Sequence, residues 1–177
     1  MANTDQIKML REQTGAGIME CQKALKISEG DIARAVAFLR ESGMIKADKK
    51  AGRATEAGLI YAYIHPGSKI GVLLEVNCET DFVARNEQFC AFVKDLALHI
   101  AGSSPAPRYI QKEDVPASLT QDVGPLLMEM PFIKDPSITI RMMLTQAISK
   151  IGENVVIRRF TRYQLGEENT PPFGHPS

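Results

Sequence analysis

Two carboxylates, Glu79 and Asp81, stand two residues apart in "NCETDFVARNEQF", residues 77–89. Metal binding or acid–base work would need a second cluster of acids or histidines to complete such a pair. None is in evident reach: His65, His99 and His175 are scattered along the chain. His65 falls at an expected hairpin turn, His175 in a polar tail, and His99 near the apolar stripe of a helix, where a packed or surface role is the ordinary one. Cys21, Cys78 and Cys90 are far apart with no C-x-x-C, a pattern that fits a reducing, cytoplasmic setting better than a disulfide framework or a zinc site. There is no G-x-S-x-G, no G-x-x-x-x-G-K-[ST] and no G-x-G-x-x-G. "TGAG", residues 14–17, lacks the preceding strand and following lysine of a phosphate loop and reads as a helix–helix turn. No cofactor, no metal and no bond-making enzyme are expected. What stands out is Asp81 beside Phe82. A charge next to a large aromatic, in a turn expected to be exposed, is poor core design and asks for a partner.

The elements that carry this turn follow from periodicity. Residues 1–54 read as helices. Ile7 and Leu10 start the stripe of a first helix capped by Asn3 or Thr4. A second helix spans about 18–27 with Ile18, Cys21 and Leu25 on one face, and its phase leaves Met19 exposed. Ser28 with Asp31 resembles a capping box, and Ile32, Val36 and Leu39 form a third stripe that ends at Gly43 as the expected C′ residue. Three helices this short resemble a ubiquitin-associated bundle. Residues 44–56, "MIKADKKAGRATE", are polar and basic and either continue the helix or act as a hinge.

From residue 57 the pattern becomes strand-like. "GLIYAYIH" and "IGVLLEVNC" flank "PGSK" and form an expected antiparallel hairpin. Ile70, Val72, Leu74, Val76 and Cys78 share one face of the second strand. Asn86 caps a helix over 86–101 whose stripe is Phe89, Phe92, Val93, Leu96 and Ile100. Residues 102–136 are broken by prolines and are expected to be loop with one short helix near 119–129. A helix over about 137–150 ends at Gly152, and "NVVIRRFTRY" is a third, β-branched strand. The fold class is α+β: a three-helix ubiquitin-associated-like bundle, then a core with a small, about three-stranded antiparallel sheet packed with helices. The expected division is 1–54 for the helical module plus basic hinge, 55–165 for the core, and 166–177 for a flexible tail.

Composition narrows the classes. Apolar residues make up 44% and charged residues 24%, as in globular domains, so wholesale disorder is excluded. Net charge is zero and aromatics are 6%, which counts against direct nucleic-acid binding through bulk charge and stacking. No apolar run approaches a membrane span, and "MANTDQIKMLREQTG" has no signal core.

Three segments in order carry a family resemblance. "LREQTGAGIMECQKAL" (10–25), "EVNCETDFVAR" (75–85) and "KIGENVVIRRF" (150–160) resemble the signatures of the elongation factor Ts family. The resemblance covers roughly residues 3–165. It implies a guanine-nucleotide exchange factor for the GTPase elongation factor Tu. It further implies that Thr80, Asp81, Phe82 and Val83 insert near the partner's magnesium and phosphate site, with Phe82 as the wedge. Leu10, Arg11, Ile18 and Met19 would belong to the helical contact surface. Phe82 tucked inward as a helix cap, Asp81 as an ordinary helix N-terminal acid and Arg11 as a solvated residue are the competing roles. Gln22 stands where the family usually has a basic residue. Residues 102–136 are too short for the second core half and protruding helical hairpin of long members. Two rival functions are a ubiquitin-associated-like adapter that binds helices, which leaves T-D-F-V unexplained, and an RNA-binding translation protein using Lys46–Arg53 and Arg158, Arg159 and Arg162.

A homodimer is also expected. In "GLIYAYIH", Leu59, Tyr61 and Tyr63 alternate with Ile60, Ala62 and Ile64, so both faces are apolar and one helix layer covers only one. Tyr61 and Tyr63 are the expected interface residues, and two copies would restore the paired core of long members.

Overall fold

The computed structural model describes residues 4–119 and 123–167. Three helices open the chain: α1 (Thr4–Thr14), α2 (Ile18–Ile27) and α3 (Ile32–Asp48). Leu10, Cys21, Ala24, Leu25, Ala35 and Leu39 close a small core among them. Thr4 is already helical, and the alternative cap Asn3 lies outside the described residues. Asp31, not Ser28, caps α3 by accepting from the Arg34 amide at 3.0 Å. Ser28 instead ends α2.

The expected stop at Gly43 is not used. Gly43 is buried inside α3, which runs one turn further to Asp48. There it lies against α6 (Ile140–Ile151): a Cβ on Gly43 would sit at ordinary contact distance, 3.8 Å from Thr145 Cγ2. Tertiary contact thus outweighs the local preference of glycine for a helix end. Ala47, one turn on, joins the core of the second unit. The basic stretch after α3 is tied down as well, since Lys50 Nζ donates to the Ile148 carbonyl at 3.4 Å.

A three-stranded antiparallel sheet follows, in the order β1–β2–β5, from β1 (Ala57–Ile64), β2 (Ile70–Cys78) and β5 (Val155–Gln164). The β1–β2 hairpin turns at Pro66–Gly67, and its register pairs Ile64 with Gly71. The β2–β5 ladder skips Arg158: Val76 pairs with Ile157, and Glu75 with Arg159. This one-residue bulge resets the phase of β5. Val155 and Ile157 face inward before it and Phe160 after it, which is why "VVIRRF" places buried residues three apart.

The inner face, with Val72, Leu74, Val76 and Cys78, packs on α5 (Glu87–Gly102). Asn86 caps α5 by accepting from the Gln88 amide at 2.8 Å. Phe89, Phe92, Val93, Leu96 and Ile100 are all buried, as their spacing predicts. Tyr61 and Tyr63 lie on this same inner face and pack against the core, so they do not belong to the open surface. The period-2 pattern is right, but the helix layer covers their face and leaves the other. Ile60 and Ile64, 65% and 63% exposed, stand outward with Leu73 and Tyr163.

Residues 102–136 hold more order than expected. Short 3-10 turns at Lys112–Asp114 and Leu127–Glu129 replace the single helix, and residues 120–122 of that expected helix lie outside the described residues. A small hairpin joins β3 (Pro131–Phe132) to β4 (Asp135–Thr139), so α6 starts at Ile140 and not at 137. Thr139 caps α6, and Gly152 ends it at φ 88°, a conformation that favours glycine. Pro131 and Pro136 fit here because a two-stranded edge hairpin tolerates missing donors. The buried His99 holds this hairpin to α5: its Nδ1 accepts from the Ile133 amide at 3.2 Å. Most of the expected tail, residues 168–177 with His175, lies outside the described residues.

Among the described residues no helix is long and apolar enough to cross a membrane. Cys21 and Cys78 are buried free thiols and Cys90 is exposed.

Candidate partner-binding site

Strand β2 ends at Cys78, and the chain turns into α4, a four-residue helix over Asp81–Ala84. A single helical turn does not persist by itself, because nucleation costs more than one hydrogen bond returns. Its neighbours hold it. Thr80 is the N-cap, with its hydroxyl accepting from the Val83 amide at 3.3 Å. Val83 and Ala84 are buried in the core. Below the turn the Cys78 thiol donates to the Thr80 carbonyl at 3.3 Å. Burial, reinforced by the Glu153 carboxylate, raises that thiol to about 11, so Cys78 stays protonated and inert.

With its base held, the turn presents Asp81 and Phe82 to solvent. Phe82 is 83% exposed, the highest value among the large apolar side chains described. An inward, capping Phe82 is therefore excluded, while Asp81 does occupy the first turn of α4, where the helix N-terminus favours an acid. Val83, the fourth residue of the expected contact, is turned inward at 6% exposure. A helix cannot place three consecutive residues on one outward face, so Val83 serves as the anchor and not as a contact.

The expected surface on the helical module divides in the same way. Met19 is 75% and Ile18 50% exposed, and Arg11 is exposed. Leu10 is fully buried among the three helices and cannot meet a partner. Its spacing from Ile7 marked it as core; the family signature marked it as surface, and burial decides for core. The α2 start is tightened by the Glu20 carboxylate, which accepts from the Gly17 amide at 3.3 Å and pairs with Lys46 of α3.

A cleft of about 1280 Å³ is lined by residues of the α1–α2 turn, α3, α6 and β5. Gly15, Lys46, Lys150 and Arg158 line it, as does Arg11, but residues 79–86 do not. Among the described residues no group of three acidic, histidine or cysteine side chains is placed to hold a metal.

Two residues in the α6–β5 turn escaped the reading from sequence. Glu153 accepts from both the Thr80 amide, at 3.1 Å, and the Thr80 hydroxyl, at 2.8 Å. Asn154, buried, donates its amide to Glu79 Oε1 at 2.6 Å. The available signal was an acid and an amide between a helix-ending glycine and a strand, "GENVV", a place where polar side chains commonly hydrogen-bond to nearby backbone.

The sequence pattern of the family described as Elongation factor TS matches residues 8–124 and 79–177. An elongation factor Ts of Methylacidiphilum infernorum is 46% identical over 191 residues, covering 92% of this chain and 94% of the relative. Those of Heliobacterium modesticaldum and Geobacter sulfurreducens are 43% and 46% identical over 198 and 193 residues, covering 94% and 92% of this chain and 91% and 88% of theirs. The chain belongs to the elongation factor Ts family. Its role is accordingly that of a translation elongation factor. Within that family assignment, Phe82 on its braced turn and Met19 on α2 are among the most exposed of the large apolar side chains described, at 83% and 75%.

Proposed function

We propose that this chain is a guanine-nucleotide exchange factor for elongation factor Tu, and that the Asp81–Phe82 turn displaces the partner's magnesium and phosphate-binding loops. The single observation that carries this is Phe82, a rigid aromatic held almost wholly in solvent on a turn fixed from below. Such a side chain costs little conformational entropy to place against a partner. Mg²⁺ needs near-ideal octahedral geometry and holds GDP largely through phosphate oxygens and water, so a small shift of the surrounding loops loosens it. Asp81 stands beside the wedge and can take or repel groups around the metal. The helical module supplies affinity through Arg11, Ile18 and Met19. No bond is made or broken in the protein itself. Linkage then governs release: if the factor weakens GDP binding, GDP weakens factor binding by the same ratio.

Thr80 and Val83 enter this reading as supports of the turn, and Leu10 as core. The decisive experiment is release of a fluorescent GDP from elongation factor Tu with catalytic amounts of this protein. Acceleration supports the reading; release at the intrinsic rate with the protein in excess ends it.

Pairing of two copies through the sheet belongs to the same proposal. Its support is the outer face, where Ile60, Ile64, Leu73 and Tyr163 remain exposed among the described residues. Glu75 and Arg159 form an ion pair at 2.6 Å on that face. An apolar sheet face of this kind is an association surface, and a twofold pair is the commonest way to cover it.

A further inference from the structure

The backbone ladder between β2 and β5 ends at the pair Cys78 and Val155. Beyond it, the next two residues of each chain segment are joined by side chains in a crossed pattern. Thr80 gives two hydrogen bonds to the Glu153 carboxylate, at 3.1 and 2.8 Å. The Asn154 amide gives one to the Glu79 carboxylate, at 2.6 Å. The same Asn154 reaches the other way: its Nδ2 donates to the carbonyls of Ala51, at 3.4 Å, and Arg53, at 3.0 Å. Arg53 Nη1 in turn lies 3.4 Å from Glu79 Oε1. The exchange turn, the α6–β5 turn and the segment leaving the helical module thus meet on six residues, two from each.

We propose that Glu153 and Asn154 are positioning residues, which set the angle of the Asp81–Phe82 wedge and hold it at a fixed spacing from the helical module. The inference rests on the exchange reading above. The sheet does not need this clasp, since the ladder already joins β2 to β5. The four-residue α4 does need an external brace: Val83 and Ala84 bury its inner side, and Thr80, its N-cap, is the residue that ties it to the α6–β5 turn. A misplacement of about 1 Å at a reacting site can cost roughly a hundredfold in rate. Asn154 adds the second function. By bonding to both Glu79 and the carbonyls after α3, it makes the two contact areas one rigid unit, so that seating the module also seats the wedge.

The test separates seating from folding. GDP release from elongation factor Tu is measured against factor concentration for the full chain and its variants, beside their melting temperatures. Glu153→Ala is expected to lower the ceiling rate about tenfold while the half-saturating concentration moves less than about twofold, because Met19 and Ile18 are untouched. Thr80→Ala, which removes the hydroxyl bond and the α4 cap but keeps the backbone bond to Glu153, should also lower the ceiling, and the double variant should lose less than the sum of the two, since the hydroxyl–carboxylate bond is common to both. Glu153→Gln, which keeps an acceptor for the Thr80 hydroxyl, should recover most of the rate. Asn154→Ala should instead raise the half-saturating concentration as well as lower the ceiling. An unchanged ceiling in Glu153→Ala, additive losses in the double variant, or a loss that disappears on cooling well below the variant's melting point would each overturn the proposal. If the wild-type chain itself leaves GDP release at the intrinsic rate, the exchange reading falls first, and the wild-type curve shows that separately.

Discussion

Phe82 and Val83 are neighbours with opposite fates, and substitution should expose the difference. Phe82→Ala removes a side chain that touches solvent, so melting should shift by no more than about 1–2 °C. Exchange on elongation factor Tu should fall about thirtyfold, the cost of truncating a strong aromatic anchor. Val83→Ala empties part of the core and should cost roughly 1–2 kcal/mol of stability. Thermal melts and GDP-release rates on both variants check this; a Phe82→Ala protein that melts early would place the ring in the core. A second residue-scale outcome concerns pH. Burial holds His99 below the ordinary imidazole value of 6.5, and its Nδ1 accepts a hydrogen bond that protonation would destroy. Asp95 and Lys134 bridge the same two elements, α5 and the β3–β4 hairpin, at 2.6 Å, and the Phe132 ring lies 6.1 Å from the imidazole, tilted by 56°. The unfolded chain binds the proton more readily, so stability is complete above about 6.5 and declines as pH falls through that value, until the folded imidazole also protonates. Melting followed from pH 7.5 to 5 should show the decline, and His99→Gln should flatten it.

At the scale of elements, two glycines are read differently by their surroundings. Gly58 in β1 has φ +144°, and a Cβ there would lie 2.3 Å from the Val76 carbonyl oxygen. Both the backbone angle and the contact forbid a side chain, so Gly58→Ala should cost at least about 2 kcal/mol and shift the β1–β2 register. Gly43 in α3 has a negative φ and room for one methyl against Thr145. Gly43→Ala should therefore stabilise by about 0.5–1 kcal/mol, through helix propensity and a less free unfolded chain. Denaturant midpoints of the two variants should move in opposite directions. An equal loss at both positions would mean that α3 and α6 tolerate no methyl between them.

For the whole molecule, the proposed pairing is decided by which sheet face is charged. Leu73→Glu with Ile64→Glu should leave the fold intact and halve the mass seen by light scattering, from about twice 19.5 kDa to about that value. Tyr61→Glu should instead unfold the protein, because Tyr61 packs inward. A wild-type mass near 19.5 kDa at micromolar concentration would remove the pairing. The proposed division at residue 54 has its own outcome. The 55–165 fragment keeps the sheet, α5 and α6, and should melt cooperatively, but at a lower temperature. It loses Ala47 from its core and the carbonyls of Ala51 and Arg53 that Asn154 bonds. Calorimetry of the fragment measures this, and a featureless trace would show one shared core.

Much of this protein is local in origin and therefore legible in the chain. The helix stripes, the β1–β2 hairpin, the cap at Asn86 and the stop at Gly152 depend on residues within a few positions of one another, so their spacing suffices. The oddity of Asp81 beside Phe82 was visible for the same reason: no nearby pattern gave Phe82 a stripe to join. Long-range contact decided the rest. Gly43 looks like a helix end until α6 packs against it. Tyr61 and Ile60 alternate on a strand apolar on both sides, and only the position of α5 says which faces water. Leu10 and Val83 sit in family signatures, where side-chain direction is not written. Glu153 and Asn154 lie more than seventy residues from the turn they brace, and no local rule connects them. A chain encodes periods and caps in neighbouring residues, but the side of a sheet that is covered, and the partner of a buried polar group, exist only once distant segments have met.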